Sequence, residues 1–137
     1  MIAVDTSALM AVVLDEPDAE ACSNVLERED SILISAGTIA EALIVASRRE
    51  VGAEMERLIE GLAPQIVPVT QKIAEKMSAA YSRWGKGVHR AGLNFGDCFA
   101  YALAKERGCP LLFVGDDFSQ TDVEAVRKRP RSEARRA

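Results

Sequence analysis

The sequence predicts an α/β fold built on a parallel sheet, and three observations carry that expectation. Short, β-rich apolar runs alternate along the chain with stretches of helical periodicity. The runs Ile2-Ala-Val4, Ile32-Leu-Ile34 and Leu111 to Val114 contain no polar alternation, as expected of strands buried on both faces. At 137 residues, 48% hydrophobic and 28% charged, the chain has material for one core and too little for two. Parallel strands need crossover connections, so helices must cover both faces of the sheet.

Each element follows from local chemistry. Ile2-Ala-Val4 ends at Asp5-Thr6-Ser7, after which Ala8, Leu9, Val12, Val13 and Leu14 recur at helical spacing until Pro17. Asp18 is placed to cap a second helix running to about Glu29. Ser31 to Ser35 is a second short strand, followed by a long helical stretch from about Thr38 to Arg49. Val51-Gly52 separates that stretch from a further helix, about Ala53 to Leu62. Gln65 to Val69 is a third candidate strand, and its Pro68, lacking an N–H, puts it at the sheet edge or makes it very short. Thr70 caps a helix over Gln71 to about Trp84, striped by Ile73, Ala74, Met77, Ala80, Tyr81 and Trp84. A glycine-bearing loop, Gly85 to Gly92, leads to Asn94, the expected N-cap of a helix from Phe95 to about Arg107 that Gly108 ends. Leu111 to Val114 is the last strand, Gly115-Asp116-Asp117 follows it, and Thr121 is expected to open a short final helix.

Composition narrows the chemistry. Three cysteines, Cys22, Cys98 and Cys109, without a C-x-x-C spacing, predict reduced apolar side chains rather than a disulfide framework or zinc knuckle. One histidine, His89, leaves little for a histidine pair or a Ser-His-Asp triad. No apolar run approaches the roughly 18 residues that cross a bilayer, and Asp5 interrupts the segment a signal peptide would need, so a cytoplasmic protein without membrane contact is expected. Neither G-x-x-x-x-G-K-[ST] nor G-x-G-x-x-G occurs, which removes those phosphate cradles. The net charge of −4 is uneven: Arg127 to Ala137 hold six of the 17 basic residues and one of the 21 acidic ones. The rest carries 11 basic against 20 acidic residues, a net −9. A solvated, frayed tail is the expectation, although its charge also suits phosphates or an acidic partner.

In parallel sheets ligands bind beyond the carboxyl ends of the strands, where the strand order reverses. Asp5 ends the first strand and Asp116 follows the last, so both reach one edge if those strands are neighbours. Asp97 lies in the first turn of its helix, where free N–H groups favour a carboxylate. Glu41 sits inside its helix with Thr38 a turn before it on the same face, and whether it points inward stays open. Each acid alone has a plain explanation, because Asp oxygens accept local hydrogen bonds at caps and turns. Together, buried acids without adjacent Lys or Arg would lose hydration unless a hard divalent cation paired with them.

Four stretches, in order, carry a family resemblance. Ile2-Ala-Val-Asp-Thr-Ser-Ala-Leu9, Ser35-Ala-Gly-Thr-Ile-Ala-Glu-Ala42, Ala91-Gly-Leu-Asn-Phe-Gly-Asp-Cys-Phe-Ala-Tyr-Ala-Leu-Ala104 and Leu111-Leu-Phe-Val-Gly-Asp-Asp-Phe-Ser-Gln-Thr-Asp122 resemble the PIN-domain ribonucleases, in particular the VapC toxins of bacterial toxin–antitoxin pairs. The resemblance covers about residues 1–123 and implies a PIN-like three-layer α/β/α domain over 1–126 with a central parallel sheet of four to five short strands; the basic segment 127–137, expected from its charge to be a flexible tail, lies outside it. It also implies a magnesium- or manganese-dependent endoribonuclease in which Asp5, Glu41 and Asp97 match the three best-kept acids. Asp116 or Asp117 matches the fourth, Asp116 being preferred as nearer the strand end. Thr6, Ser7, Thr38 and Asn94 match polar positions that line or support the pocket. By the same resemblance an antitoxin covers the site and the chain forms a homodimer. Helices from Met10 to Glu29 and from Thr38 to Leu62 are the expected contact surfaces.

Hydrolysis of an RNA phosphodiester needs a nucleophile at neutral pH and relief of phosphoryl charge, and a bound divalent metal supplies both. On this reading Asp5 and Asp97 hold Mg²⁺ directly or through its waters, Glu41 completes the shell or orients the attacking water, and Asp116, with Asp117 beside it, supports a second, weaker ion. Arg48, Arg49, Lys86, His89 and Arg90 are candidates for RNA-backbone contacts, though each alone is an ordinary surface residue. A receiver-like signalling domain would want paired acids after the first strand, an Asp ending the third and a Lys near the last. The chain offers Asp5-Thr6, Pro68-Val69-Thr70 and no suitable Lys. A haloacid-dehalogenase-like phosphatase would want a second Asp two residues after Asp5, where Ser7 stands. A catalytically silent acidic-pocket binding module is the remaining alternative.

Overall fold

Strands of two to four residues organise the molecule, and the computed structural model describes residues 1–128. In chain order the elements are β1 (Ile2–Val4), α1 (Thr6–Val13), α2 (Ala19–Arg28), β2 (Ile32–Ser35), α3 (Ala36–Arg48), α4 (Gly52–Leu62), β3 (Gln65–Val67), α5 (Gln71–Trp84), α6 (Phe95–Arg107) and β4 (Leu111–Leu112), then a 3-10 helix, Phe118–Gln120. The strands form one parallel sheet in the order β3-β2-β1-β4. An isolated parallel bridge joins Leu111 to Ala125 beside β4.

Successive residues of a strand point to opposite faces, and this divides the core into two. Ile2, Val4, Ile32, Ile34 and Leu112 face a core closed by α1, α2, α3 and α4. Ala3, Leu33 and Leu111 face a second core closed by α5 and α6. The result is the expected α/β/α layering. Leu33 and Leu111 are wholly buried, and burial of such a side chain contributes about 1.5–3 kcal/mol.

Some helix ends follow local rules and others do not. Thr70 Oγ1 accepts from the Ile73 N–H at 3.2 Å, and Gly108 closes α6 in the left-handed conformation at φ 60°. Asp18 stands at the N-cap of α2 without a side-chain cap bond. The three cysteines are buried and unpaired with one another, and burial pushes the Cys98 thiol up to about 11. Among the described residues no helix is long and apolar enough to cross a membrane.

Three expectations are corrected. β3 stops at Val67, ahead of Pro68. β4 is only two residues long, because the Val114 N–H leaves the ladder to donate to Ser7 Oγ at 3.0 Å. Thr121 does not open a helix but closes the 3-10 turn: its Oγ1 donates to Phe118 O at 2.7 Å and accepts from the Val123 N–H at 3.2 Å. The chain then runs extended beside β4. Of the tail expected over 127–137, Arg127 and Lys128 are described and the remainder lies outside the described residues.

Candidate active site

The strand order reverses at β1: the chain moves outward to β2 and β3, then returns to lay β4 on the other side of β1. The crevice beyond the carboxyl ends of β1 and β4 is therefore the expected ligand site. Asp5 occupies it, its N–H donating to Leu112 O at 3.0 Å. Asp5 is also the N-cap of α1. Its Oδ2 accepts from the Ser7 N–H at 3.0 Å and from Ser7 Oγ at 2.7 Å, while Oδ1 is buried with no hydrogen-bond partner among the described residues. The residue is 2% exposed. Burial lifts its carboxyl to about 7, the Ser7 bonds oppose that rise, and the charges of Asp97 and Glu41 add to it.

Glu41 is delivered by a close crossing of α3 and α6. Ser35 caps α3, its Oγ accepting from the Gly37 N–H at 3.2 Å. A Cβ on Gly37 would lie 2.2 Å from the Phe99 ring, and a Cβ on Gly96 would lie 1.7 Å from Glu41 Oε2. The two glycines thus let the helices meet and lay the Glu41 carboxylate over the first turn of α6. Thr6 Oγ1 donates to Glu41 Oε1 at 2.6 Å. Thr38, a turn earlier on α3, is wholly buried and its hydroxyl has no partner among the described residues.

Asp97 is held by a capping box: its Oδ2 accepts from the Asn94 N–H at 3.0 Å, and Asn94 Oδ1 accepts from the Asp97 N–H at 2.9 Å. Burial raises its carboxyl, the Asn94 bond opposes the rise, and the charges of Asp117 and then Glu41 reinforce it. Of the adjacent acids after β4, Asp117 is the one whose field reaches Asp97. The ladder ends at Leu112, and Gly115, at φ 103°, turns the loop before the pair. Both acids are exposed, and Asp116 O accepts from Ser119 Oγ at 2.6 Å.

The cationic candidates do not converge on the crevice in the same way. Arg48 and Arg49 are exposed at the far end of α3, about two turns beyond Glu41. Lys86 is exposed and lines a groove of about 570 Å³ that also borders Asn94 and Phe95. His89 braces its own loop: Nδ1 accepts from the Ala91 N–H at 2.9 Å, and the ring packs edge-on against Trp84 at 4.8 Å. Arg90 is exposed. Sequence reasoning missed Gly37 and Gly96, whose signal was present. A glycine inside a helix costs about 1 kcal/mol against alanine, so two in the first turns of α3 and α6 flag close approaches.

The chain matches the family model for the PIN domain over residues 2–124. It belongs to the PIN-domain family. Within that family its relatives are VapC ribonucleases: ribonuclease VapC30 of Mycobacterium tuberculosis is 44% identical over 126 residues, covering 90% of this chain and 96% of that protein. A ribonuclease VapC of Mycolicibacterium smegmatis is 44% identical over 126 residues, covering 90% and 98%. Among solved structures, M. tuberculosis VapC20, described as a sarcin–ricin loop cleaving toxin, shares the fold with a TM-score of 0.76 at 17% identity, covering 93% of this chain and 99% of that one. A toxin–antitoxin complex from Klebsiella pneumoniae shares it with a TM-score of 0.68 at 19% identity, covering 92% and 97%. Membership of the PIN family sets the receiver-like and phosphatase readings aside.

Within this PIN domain Asp5, Glu41, Asp97 and Asp117 are the residues that could hold a metal. Among the described residues no three Asp, Glu, His or Cys side chains stand as a ready-made cage. The donor set consists of carboxylates with hydroxyls beside them, and the orphaned Asp5 Oδ1 is the kind of atom a hard cation satisfies. These residues fit Mg²⁺, which keeps several waters between itself and its protein ligands.

Proposed function

We propose that this chain is a metal-dependent endoribonuclease, the toxin of a toxin–antitoxin pair, hydrolysing RNA phosphodiester bonds at the Asp5 crevice. The observation that carries the reading is the Asp5 carboxylate, buried and fixed through Oδ2, with Oδ1 unpartnered and two further carboxylates near enough to act on its charge. Mg²⁺ or Mn²⁺, when bound, supplies charge relief at the phosphoryl oxygens and an activated water. Asp5 and Asp97 hold the ion, fixed in place by Ser7 and by Asn94 respectively. Glu41, braced by Thr6, completes the set or aligns the attacking water, and Asp117 serves a second, weaker ion. Thr38 lends an unpartnered hydroxyl on the Glu41 face of α3.

The toxin–antitoxin complex among the structural relatives supports an antitoxin partner. A homodimer is proposed as well, because Ile44 and Phe95, 59% and 69% exposed, leave large apolar side chains in water. A cytoplasmic location accords with an RNA substrate. The test is cleavage of labelled RNA by the purified chain in Mg²⁺, in EDTA, and by Asp97→Asn, whose amide oxygen still serves the capping box. Cleavage should need Mg²⁺ and fall about 100-fold or more in the variant. A rate indifferent to both changes removes the proposal, and a wild-type chain that binds RNA without cutting it is the silent binding module.

A further inference from the structure

The α5–α6 half of the molecule carries a groove distinct from the acidic crevice. Charge is divided unevenly between the two helical layers. Residues 6–62, which hold α1 to α4, have twelve acidic and four basic residues, whereas residues 63–126 have seven of each. A polyanion approaching the crevice therefore meets least repulsion on the side of α5 and α6. The groove lies there, between those helices, with a volume of about 570 Å³, in the range of sites that bury a small ligand. Of the described residues lining it none is acidic, and the single charged one is Lys86.

Its construction ties it to the site. Asn94 and Phe95, at the start of α6, both line the groove, and Asn94 is the residue that caps Asp97. Lys86 is brought to the same place by its backbone: its N–H donates to Leu93 O at 2.9 Å, and the Leu93 N–H donates to Trp84 O at 3.0 Å. Lys86 is thus clamped to the residue that precedes Asn94. Phe95 is 69% exposed, and its ring meets Phe99 edge-on at 4.9 Å, a contact that steadies the ring and leaves a face open. Tyr81, 39% exposed, together with Ser78 and Ser82 brings to the groove hydroxyls that no other described residue engages. Open rings, a cation and free hydroxyls in one groove match the parts of a single-stranded nucleotide: a base face, a phosphate and a hydrogen-bonding base edge. Phe95 also belongs to the apolar surface assigned above to a second copy. A contact between copies needs neither the cation nor the hydroxyls, nor an opening beside Asp97, and these features favour RNA.

We propose that this groove is a nucleobase subsite of the RNA site, in which Phe95 stacks on an unpaired base flanking the scissile phosphate and Lys86 holds a neighbouring phosphate. It rests on the reading of RNA as substrate. Stacking accepts any base, whereas the Ser78, Tyr81 and Ser82 hydroxyls meet the base edge and supply preference. Binding is read apart from cleavage, by fluorescence anisotropy of a labelled single-stranded RNA of mixed sequence with the full chain in EDTA. Phe95→Ala should weaken affinity about tenfold or more, Phe95→Trp should keep it, and Phe95→Leu, which retains apolar bulk without a π-face, should not. A ribose-phosphate oligomer of the same length without bases should bind the parent and Phe95→Ala alike. Lys86→Gln should flatten the slope of log K against log salt by about 0.7. With Mg²⁺, Phe95→Ala should raise KM and leave kcat nearly constant, as loss of uniform binding does. Sedimentation of each variant reports its oligomeric state. RNA affinity unchanged in Phe95→Ala overturns the subsite even if the chain cleaves RNA. Affinity that returns in Phe95→Leu together with a dimer lost in Phe95→Ala also overturns it, because a second copy then covers the groove. Equal weakening toward the oligomer without bases overturns it as well, since the ring then acts through the fold. The expected pattern of binding in a chain that never cleaves RNA sustains the base site and removes the nuclease reading.

Discussion

Asp5 keeps its proton to about pH 7 in the folded chain, whereas the ordinary carboxyl value is 3.8. Between those two values the unfolded chain has released a proton that the native one still binds, so stability falls as pH rises through that window. The loss is complete above about 7, and the raised Asp97 carboxyl acts in the same direction. Asp5→Asn removes this titration while keeping an oxygen for both Ser7 bonds. It should therefore melt at a higher temperature than the parent at pH 8, with the gain shrinking at pH 5, and should lose cleavage. Thermal melts at the two pH values check it, and a variant that melts below the parent at pH 8 contradicts the account. Mg²⁺ should raise the melting temperature of the parent at pH 8, because a ligand bound only by the native state stabilises it, and should do little for the variant. Asp5 was legible as a site acid from its place at a strand end. The direction of its raised carboxyl was legible too, from unpaired acids that lose hydration and repel one another, but its extent was not, because the burial that dominates it depends on α1, α3, α6 and β4 assembling from distant parts of the chain.

At the scale of elements, the site depends on how closely α3 crosses α6. In an exposed helix Gly→Ala is stabilising by about 1 kcal/mol. Gly96 is buried, and a Cβ there would fall 1.7 Å from Glu41 Oε2, so the sign reverses. Gly96→Ala should lower both stability and cleavage, the latter about tenfold or more, because the carboxylate that must move is a site residue. Adding Glu41→Ala should recover the stability and leave cleavage lost, and melts of the single and double variants with rate assays distinguish the two effects. A Gly96→Ala chain as stable and active as the parent would show that Glu41 has other room. The helices, caps and strand positions could be read from sequence because periodicity, Thr70, Asn94 and Gly108 are local signals. The extent of β4 could not. Its shortening comes from a bond between Val114 and Ser7, 107 residues apart, that no local pattern announces.

Across the whole molecule, the segment that ends the domain is held from the side of the second core. Trp84 Nε1 donates to Tyr101 Oη at 3.0 Å, and Tyr101 Oη donates to Asp122, which also pairs with Lys105 at 3.1 Å and Arg83 at 3.7 Å. Asp122 thus anchors the strand-like stretch 124–126 to both α5 and α6, a link joining positions too far apart in sequence for any motif to reveal. The Asp122–Lys105 and Asp122–Arg83 pairs are part-exposed and contribute little. The indole N–H is another matter: Trp84 is 8% exposed and Tyr101 7%, so losing the acceptor strands a buried donor at a cost of about 1–3 kcal/mol. Tyr101→Phe should lower the free energy of unfolding in urea by that amount. It should also speed hydrogen exchange at the Leu111 and Val126 amides, the two N–H groups of the bridge beside β4. If stability falls while those amides keep their protection, Tyr101 serves only the core between α5 and α6. If both respond together, the network is what holds residues 124–126 beside β4, through a contact on the side of the sheet opposite α2.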